Sequence, residues 1–278
     1  MLNALTVDVE DYFHVSAFAN VVPQSDWPTL ESRVCRNTGR LLEIFSRVDV
    51  RATFFVLGWI AERFPQLVRQ IVAAGHEVAS HSYDHGLVYD KTPEAFCADL
   101  RRAKDAIGDA CGVAVHGYRA PSYSITRDSL WALDALVSEG YTFDSSIYAI
   151  RHDRYGIPDW PRHIHQIQSS GGPLWELPGS TVRRFGANLP VGGGGHFRLL
   201  PYWWTARGLR HLNVVEQRPA IFYLHPWEID PDQHRIRASA MSRVRHYSNL
   251  DATEPRLIRL LSEFRFGYPG EASTTAWQ

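Results

Sequence analysis

Short apolar runs alternate with stretches of helical periodicity through the first half of the chain. Leu2 to Val9 is the first run and reads as a buried strand. Thr29 or Ser32 is placed to cap a helix reaching about Val48, in which Leu41, Leu42, Ile44, Phe45 and Val48 fit a 3.6-residue period. Arg51 to Leu57 is a second strand. A helix follows from about Trp59, Pro65 opens a new helical segment, and Gly75 closes it. Glu77 to Ser80 is a short third strand. Thr92 and Pro93 cap and open a helix to about Ala110. Val113 to Tyr118 is a fourth strand. Thr126 caps a helix to Glu139, Gly140 closes it, and Tyr141 to Phe143 is a fifth strand. Alternation of this kind builds βαβ units on a parallel sheet.

The second half is less regular. Residues 150–172 lack periodicity and read as a long surface excursion. Trp175 to Pro178 is a short strand. Gly192 to Gly195 lack the Lys-Ser/Thr and immediate helix of a phosphate loop, and read as a flexible loop at a pocket edge. Pro201 to Leu212 is a helix, Ala220 to Leu224 the last clear strand, residues 229–252 a polar loop, and Thr253 to Phe264 a closing helix. The last ten residues read as frayed. The expectation is one domain over 1–278, with an insertion at 150–204 and a C-terminal extension at 229–278. Its fold class is α/β, a distorted (β/α) barrel of about seven parallel strands.

Composition narrows the function classes. The 45% hydrophobic share supports a full core, and the net charge of −1 carries no block of like charges. Nothing there suggests a nucleic-acid or anionic-membrane surface. Nine Trp and twelve Tyr keep carbohydrate in play, because aromatic rings stack on sugar faces. Cys35, Cys97 and Cys111 share no metal-like spacing and read as buried small hydrophobes of a reducing compartment. The start MLNALTVDVE has no signal-peptide pattern, and no apolar run approaches a membrane span. The chain reads as cytoplasmic, with a peripheral place at the membrane left open and the oligomeric state unknown.

Candidate chemistry gathers where strands end. Asp8 and Glu10 share one face of the first strand while Val9 points away, so both can reach one site. A solvated strand end is the bland alternative. His81 and His85 are four residues apart after the third strand. That spacing lets both rings converge on one metal ion, from a helix face or from a tight loop. Arg119 follows the fourth strand, Asp144 the fifth, and His225 the last. Arg119 could simply pair with Asp144, and Trp227 and Glu228 either shape the pocket or only pack. His14, His76 and His116 read as structural.

With these segments in place, the chain resembles the NodB-type polysaccharide deacetylases, carbohydrate esterase family four. Thr6-Val7-Asp8-Val9-Glu10 resembles the first motif, His81-Ser82-Tyr83-Asp84-His85 the second, Arg119-Ala120-Pro121 with Tyr123 the third, Asp144-Ser145-Ser146 the fourth, and Leu224-His225 the fifth. The resemblance implies Asp8 as catalytic base, Arg119 as the residue aiming it, and His225 as catalytic acid. It implies Glu10, His81 and His85 as metal ligands, with Asp11 as alternative to Glu10. It also implies Tyr123, Asp144, Leu224 and Trp227 against the substrate, with the Tyr123 N–H at the oxyanion. Two departures stand out. Val9 separates carboxylates that are usually adjacent, and Tyr123 sits one residue later than in the commonest form.

The implied cofactor is one divalent metal, Zn²⁺ first, with Co²⁺, Ni²⁺ or Fe²⁺ able to occupy the same donors. The implied partner is an N-acetylated polysaccharide or oligosaccharide, and the implied reaction is metal-dependent N-deacetylation. Residues 192–204 and 222–235 resemble the subgroup associated with exosortase-linked exopolysaccharide loci. Two rivals remain: a hydrolase of a small cyclic amide or formamide on the same fold, and a non-catalytic glycan-binding protein. The aromatic-rich stretch 150–204 argues for a sugar groove, and the presence of both an acid and a base argues against a binder.

Overall fold

β1 (Leu2–Val9) shows how the sheet is built. Leu5, Val7 and Val9 point into the main apolar core, while Ala4, Thr6 and Asp8 point the other way. The structure is a computed structural model that describes residues 1–268; the expected frayed tail, 269–278, lies outside the described residues. α1 (Val34–Arg47) follows, then β2 (Thr53–Val56), α2 (Gly58–Arg63), α3 (Pro65–Ala73), β3 (Glu77–Ser80), α4 (Pro93–Cys111), β4 (Gly117–Tyr118), α5 (Trp131–Ser138) and β5 (Phe143–Asp144). The later elements are β6 (His165–Ser169), β7 (Gly172–Glu176), β8 (Thr181–Arg184), β9 (Ala187–Pro190), α6 (Gly194–Leu199), α7 (Tyr202–Arg210), β10 (Ile221–Leu224), α8 (Ala240–Tyr247), α9 (Leu250–Glu263) and β11 (Arg265–Gly267).

One sheet runs in the order β10-β1-β2-β3-β4-β5-β7-β6, and β11 pairs with β1. The seven strands from β10 to β7 are mutually parallel, and β6 adds an antiparallel edge. The expected seven-stranded parallel architecture is therefore present. Its ring of strands is not closed by a ladder. Residues 177–193 run across the opening instead. Leu177 donates to Asp144 O (2.8 Å), Val191 to Ser180 O (3.0 Å), and Tyr223 to Gly192 O (2.8 Å).

Several local expectations change. The excursion at 150–172 ends in β6, a strand of the sheet whose polar, half-exposed residues hid its pairing. The four-glycine stretch is not a loose loop at a pocket edge. A Cβ at Gly193 would lie 2.0 Å from Tyr223 O, and one at Gly192 would lie 2.6 Å from Ile221 O. The glycines let this backbone press against β10, and α6 starts at once at Gly194. The polar stretch 229–252 contains α8, and β11 follows the closing helix. α1 is capped neither by Thr29 nor by Ser32. Asp11 Oδ2 accepts from Arg33 N (2.9 Å), Val34 N (3.2 Å) and Ser32 Oγ (2.6 Å), a cap supplied from the end of β1. The three cysteines are free and only partly buried. Among the described residues, no helix is long and apolar enough to cross a membrane.

The glycine bridge yields a stability contrast. Gly193 has φ +114° and no space for a side chain, whereas Gly112 has φ +73° in open space. Gly193→Ala is expected to lose about 2–4 kcal/mol in urea unfolding, from backbone strain plus overpacking. Gly112→Ala should lose only about 1–2 kcal/mol. Equal losses would show that the bridge to β10 is not tightly packed.

Candidate active site

The carboxyl ends of β1, β3, β4 and β10 converge on one cleft of about 170 Å³. Asp8, Glu10, His81, His85, His225 and Trp227 line it, together with Tyr123, Tyr155 and Tyr223. β1 delivers Asp8 on its inner face, and Glu10 follows two residues on. The two histidines do not share a helix face. They sit in a tight loop after β3, where Ser82 and His85 take φ of +71° and +58°. That left-handed backbone turns the second ring back toward the first, with centroids 5.4 Å apart.

Arg119 is fully buried and pairs with Asp8, not with Asp144. Its Nη1 donates to Asp8 Oδ1 (2.7 Å) and to Thr6 Oγ1 (2.9 Å). Its Nε and Nη2 donate to Ser145 O (3.2 Å) and Ser145 Oγ (2.8 Å). Four fixed acceptors leave the guanidinium one orientation, and Asp8 is held with it.

Among the described residues, Glu10, His81 and His85 form a group able to hold a metal ion, their donor atoms all within 4.8 Å of one another. Three observations fit that use. His81 Nδ1 lies 2.8 Å from Arg119 O, which leaves Nε2 toward the cleft. Burial pulls His81 down to about 4, so its ring is neutral, as a ligand must be. Glu10 Oε2 is buried with no hydrogen-bond partner, although it lies 2.8 Å from His85 Nε2. Two lone-pair donors brought that close suit a cation between them. Burial would raise Glu10, but the imidazoles of His85 and His225 beside it hold it well below the usual carboxylate range. Asp11, the alternative ligand, is committed to capping α1.

His225 completes the cleft. Its Nε2 lies 3.4 Å from Glu10 Oε1 and 3.8 Å from Asp8 Oδ2. Burial would lower it, but the carboxylates of Glu10 and Glu228 outweigh that and push it up to about 9. Trp227 donates its Nε1 to Glu10 Oε1 (3.1 Å) and stacks on the His225 ring (centroids 5.1 Å).

Three sequence expectations fail. Leu224 does not face the cleft. It belongs to the main core, because on β10 the residues sharing the His225 face are two apart, which selects Tyr223. Asp144 is not a groove wall. It is fully buried beside Glu176, with its Oδ1 accepting from Ser146 Oγ. The Tyr123 N–H donates to Ala120 O (3.0 Å) in a tight turn, so it is engaged where an oxyanion donor was expected. The Tyr123 ring does line the cleft. Reasoning from sequence also missed Tyr155, Tyr223 and Ser122. Tyr223 was reachable from the period-2 rule applied backwards from His225. Tyr155 comes from the irregular stretch and carried no signal. His14 and His76, expected to be structural, accept at Nδ1 from Asp11 N (2.8 Å) and Ala52 N (3.1 Å).

Residues 27–142 match the polysaccharide deacetylase family, and residues 145–272 match a domain of unknown function, DUF3473. The chitooligosaccharide deacetylase of Rhizobium leguminosarum bv. trifolii is 36% identical over 100 residues, covering 36% of this chain and 43% of the relative. The chain spans about half the length of the curated relatives it matches. A solved candidate polysaccharide deacetylase from Mycobacterium smegmatis superposes with TM-score 0.66 at 18% identity, covering 99% of this chain and 89% of the other. A CE4 family pseudoenzyme from Bacillus anthracis superposes with TM-score 0.51 at 16% identity, covering 97% of this chain and 64% of the other. Residues 27–142 thus match the polysaccharide deacetylase family model, and the chain has the α/β fold of the NodB type. Since the fold also serves a pseudoenzyme, activity has to be argued from the site.

The buried acid pair behind the cleft gives a pH prediction. Burial pushes Glu176 well above its usual range, and the neighbouring Asp144 charge adds to this, so Glu176 keeps its proton and Asp144 accepts it. A carboxyl raised in the folded state contributes stability that is complete below its ordinary value of 4.5 and is lost as pH rises through the folded value. Glu176→Gln keeps a donor and cannot titrate. As pH rises above 4.5 the wild-type melting temperature should fall more than that of the variant. Parallel curves would mean that the pair does not share a proton.

Proposed function

We propose that this chain is a metal-dependent hydrolase that removes N-acetyl groups from amino sugars of a polysaccharide, releasing acetate. One observation carries the reading. A carboxylate locked to a buried arginine, a Glu–His–His donor set and a histidine braced by carboxylates all face one cleft. A glycan-binding protein has no need of that combination.

Glu10, His81 and His85 would hold the divalent ion, with Zn²⁺ the best fit to two imidazoles and a carboxylate and Co²⁺, Ni²⁺ or Fe²⁺ able to replace it. When bound, such an ion supplies Lewis acidity toward the acetyl carbonyl and lowers the pKa of water beside it to roughly 7. Asp8, aimed by Arg119, takes the proton of the attacking water as general base. The water oxygen bonds to the acetyl carbon. His225 gives its proton to the sugar nitrogen as the C–N bond breaks, leaving acetate and a free amine. Trp227 keeps Glu10 in place through its Nε1–H. The rings of Tyr123, Tyr155 and Tyr223 form an aromatic wall suited to an acetamido methyl and a sugar face. Asp144 and Leu224 take no part in substrate contact.

We place the substrate among exopolysaccharides or their precursors, on the resemblance of residues 192–204 and 222–235. We take 1–278 as one catalytic unit, because a single sheet draws strands from both matched segments.

The test is acetate release from N-acetylglucosamine oligomers by the full chain, after chelation and after restoring Zn²⁺ or Co²⁺. Release should vanish with the chelator and return with the metal. Asp8→Asn should lower kcat by about 10²–10⁴ with bound metal unchanged. Metal lost from that variant would make Asp8 a ligand. Stoichiometric metal without any release would sink this substrate class and turn attention to small cyclic amides.

A further inference from the structure

We infer that Glu228, anchored by Arg198, is the positioning carboxylate of His225, so that the segment matching a domain of unknown function completes the catalytic apparatus. The inference rests on the deacetylase reading for what His225 does, but not for how His225 is held.

Glu228 is 1% exposed and sits one turn after His225. Its Oε1 accepts from the His225 backbone N–H (3.1 Å) and lies 2.5 Å from His225 Nδ1. An ionised carboxylate oxygen only accepts, so Nδ1 must carry the hydrogen. The ring can then neither flip nor change tautomer without losing that bond. Nε2 is left facing Asp8 and Glu10, where a proton has to be delivered.

Behind Glu228 stands Arg198, on α6 and 2% exposed. Its Nε donates to Glu228 Oε2 (2.6 Å). Its Nη1 donates to His246 O (2.8 Å) and Ser248 O (3.1 Å), and its guanidinium lies 5.0 Å from the Trp227 ring. A carboxyl this deeply buried would take up a proton if it were alone. It would then offer its own hydrogen to Nδ1 and impose the opposite tautomer. Burial does push Glu228 upward, but the Arg198 charge and His225 outweigh it and hold Glu228 at about 2. Arg198 therefore acts through Glu228, and Glu228 acts through His225. All three lie outside residues 27–142 and inside residues 145–272.

The plainer role for Glu228 is capping the short turn at Pro226–Ile229. Capping needs only an acceptor for the His225 N–H, which a glutamine provides. It gives no reason for a buried arginine on the far oxygen, nor for a 2.5 Å contact to the ring. That difference defines the test.

The experiment uses the metal-loaded full chain. Glu228→Gln alone would strand a buried guanidinium and could unfold the protein, so it is paired with Arg198→Met in a double variant. Folding is followed by circular dichroism and metal by stoichiometry. The expected double variant is folded, binds metal as the wild type does, and releases acetate with kcat lowered about 10²–10³-fold, with KM within about threefold. In ¹⁵N spectra of histidine-labelled protein, assigned with His225→Gln and recorded at about pH 10, above the His225 value of about 9, so that the ring is neutral, the wild-type His225 hydrogen is on Nδ1, and in the double variant it moves to Nε2 or exchanges between the two. A folded double variant with an unchanged tautomer, or with wild-type kcat, would overturn the assignment. If the wild type releases no acetate at all, the deacetylase reading fails, and the nitrogen spectra still decide whether Glu228 holds the ring.

Discussion

The Arg119 guanidinium is fully buried, and the upper end of the sheet is arranged to satisfy its donors. β1 supplies Thr6 and Asp8, and the turn after β5 supplies the carbonyl and hydroxyl of Ser145. The Phe55 ring of β2 lies 4.2 Å from the guanidinium. Removing one partner from such a pair leaves an uncompensated buried charge, worth about 3–5 kcal/mol of stability. The orientation of the proposed base is thereby tied to the order of the strands. The same arginine's backbone carbonyl fixes the His81 ring. One residue links base geometry to ligand geometry, and neither can drift without the other.

Some of the groups around the site sit on backbone held in unfavourable conformations. Ser82, His85, Ser122 and Tyr123 all take positive φ, at a cost of order 1–3 kcal/mol each for non-glycine residues. They cluster around the cleft, and the surrounding core has to supply that energy. Large apolar residues with no exposure, such as Phe54 and Phe96, belong to the main core that carries these loops. A rigid sheet end with strained loops upon it holds the proposed catalytic groups still before a substrate arrives.

The C-terminal half is bound into the same core. β10 lies beside β1, the glycines at 192–194 allow the chain to lie flat against it, and α6, α8 and α9 pack around the turn that follows His225. Arg198, Glu228 and Trp227 then brace His225 and Glu10 from that side. The two matched segments meet at the cleft and share its chemistry.

The alternation of apolar strands and amphipathic helices made the parallel α/β architecture readable. So did the reactive side chains at successive strand ends, because period 2 and period 3.6 are local properties of the chain. Asp8, Glu10, His81, His85, Arg119 and His225 were all picked out on that basis, and the structure brings them together. Other features depend on contacts between residues far apart in sequence. Asp11 looked like a ligand, yet it caps a helix that begins more than twenty residues later. Asp144 looked like a groove wall, yet it is buried against Glu176, its partner on the neighbouring strand. β6 is almost wholly polar and becomes a strand only because β7 offers it an edge. Arg198 and Glu228 carried no local pattern at all, since a buried ion pair is defined by what surrounds it. Local periodicity therefore determined the elements and the reactive ends of the strands, while tertiary packing decided which buried polar groups found partners, because burying a charge is tolerable only where the folded chain brings another charge to meet it.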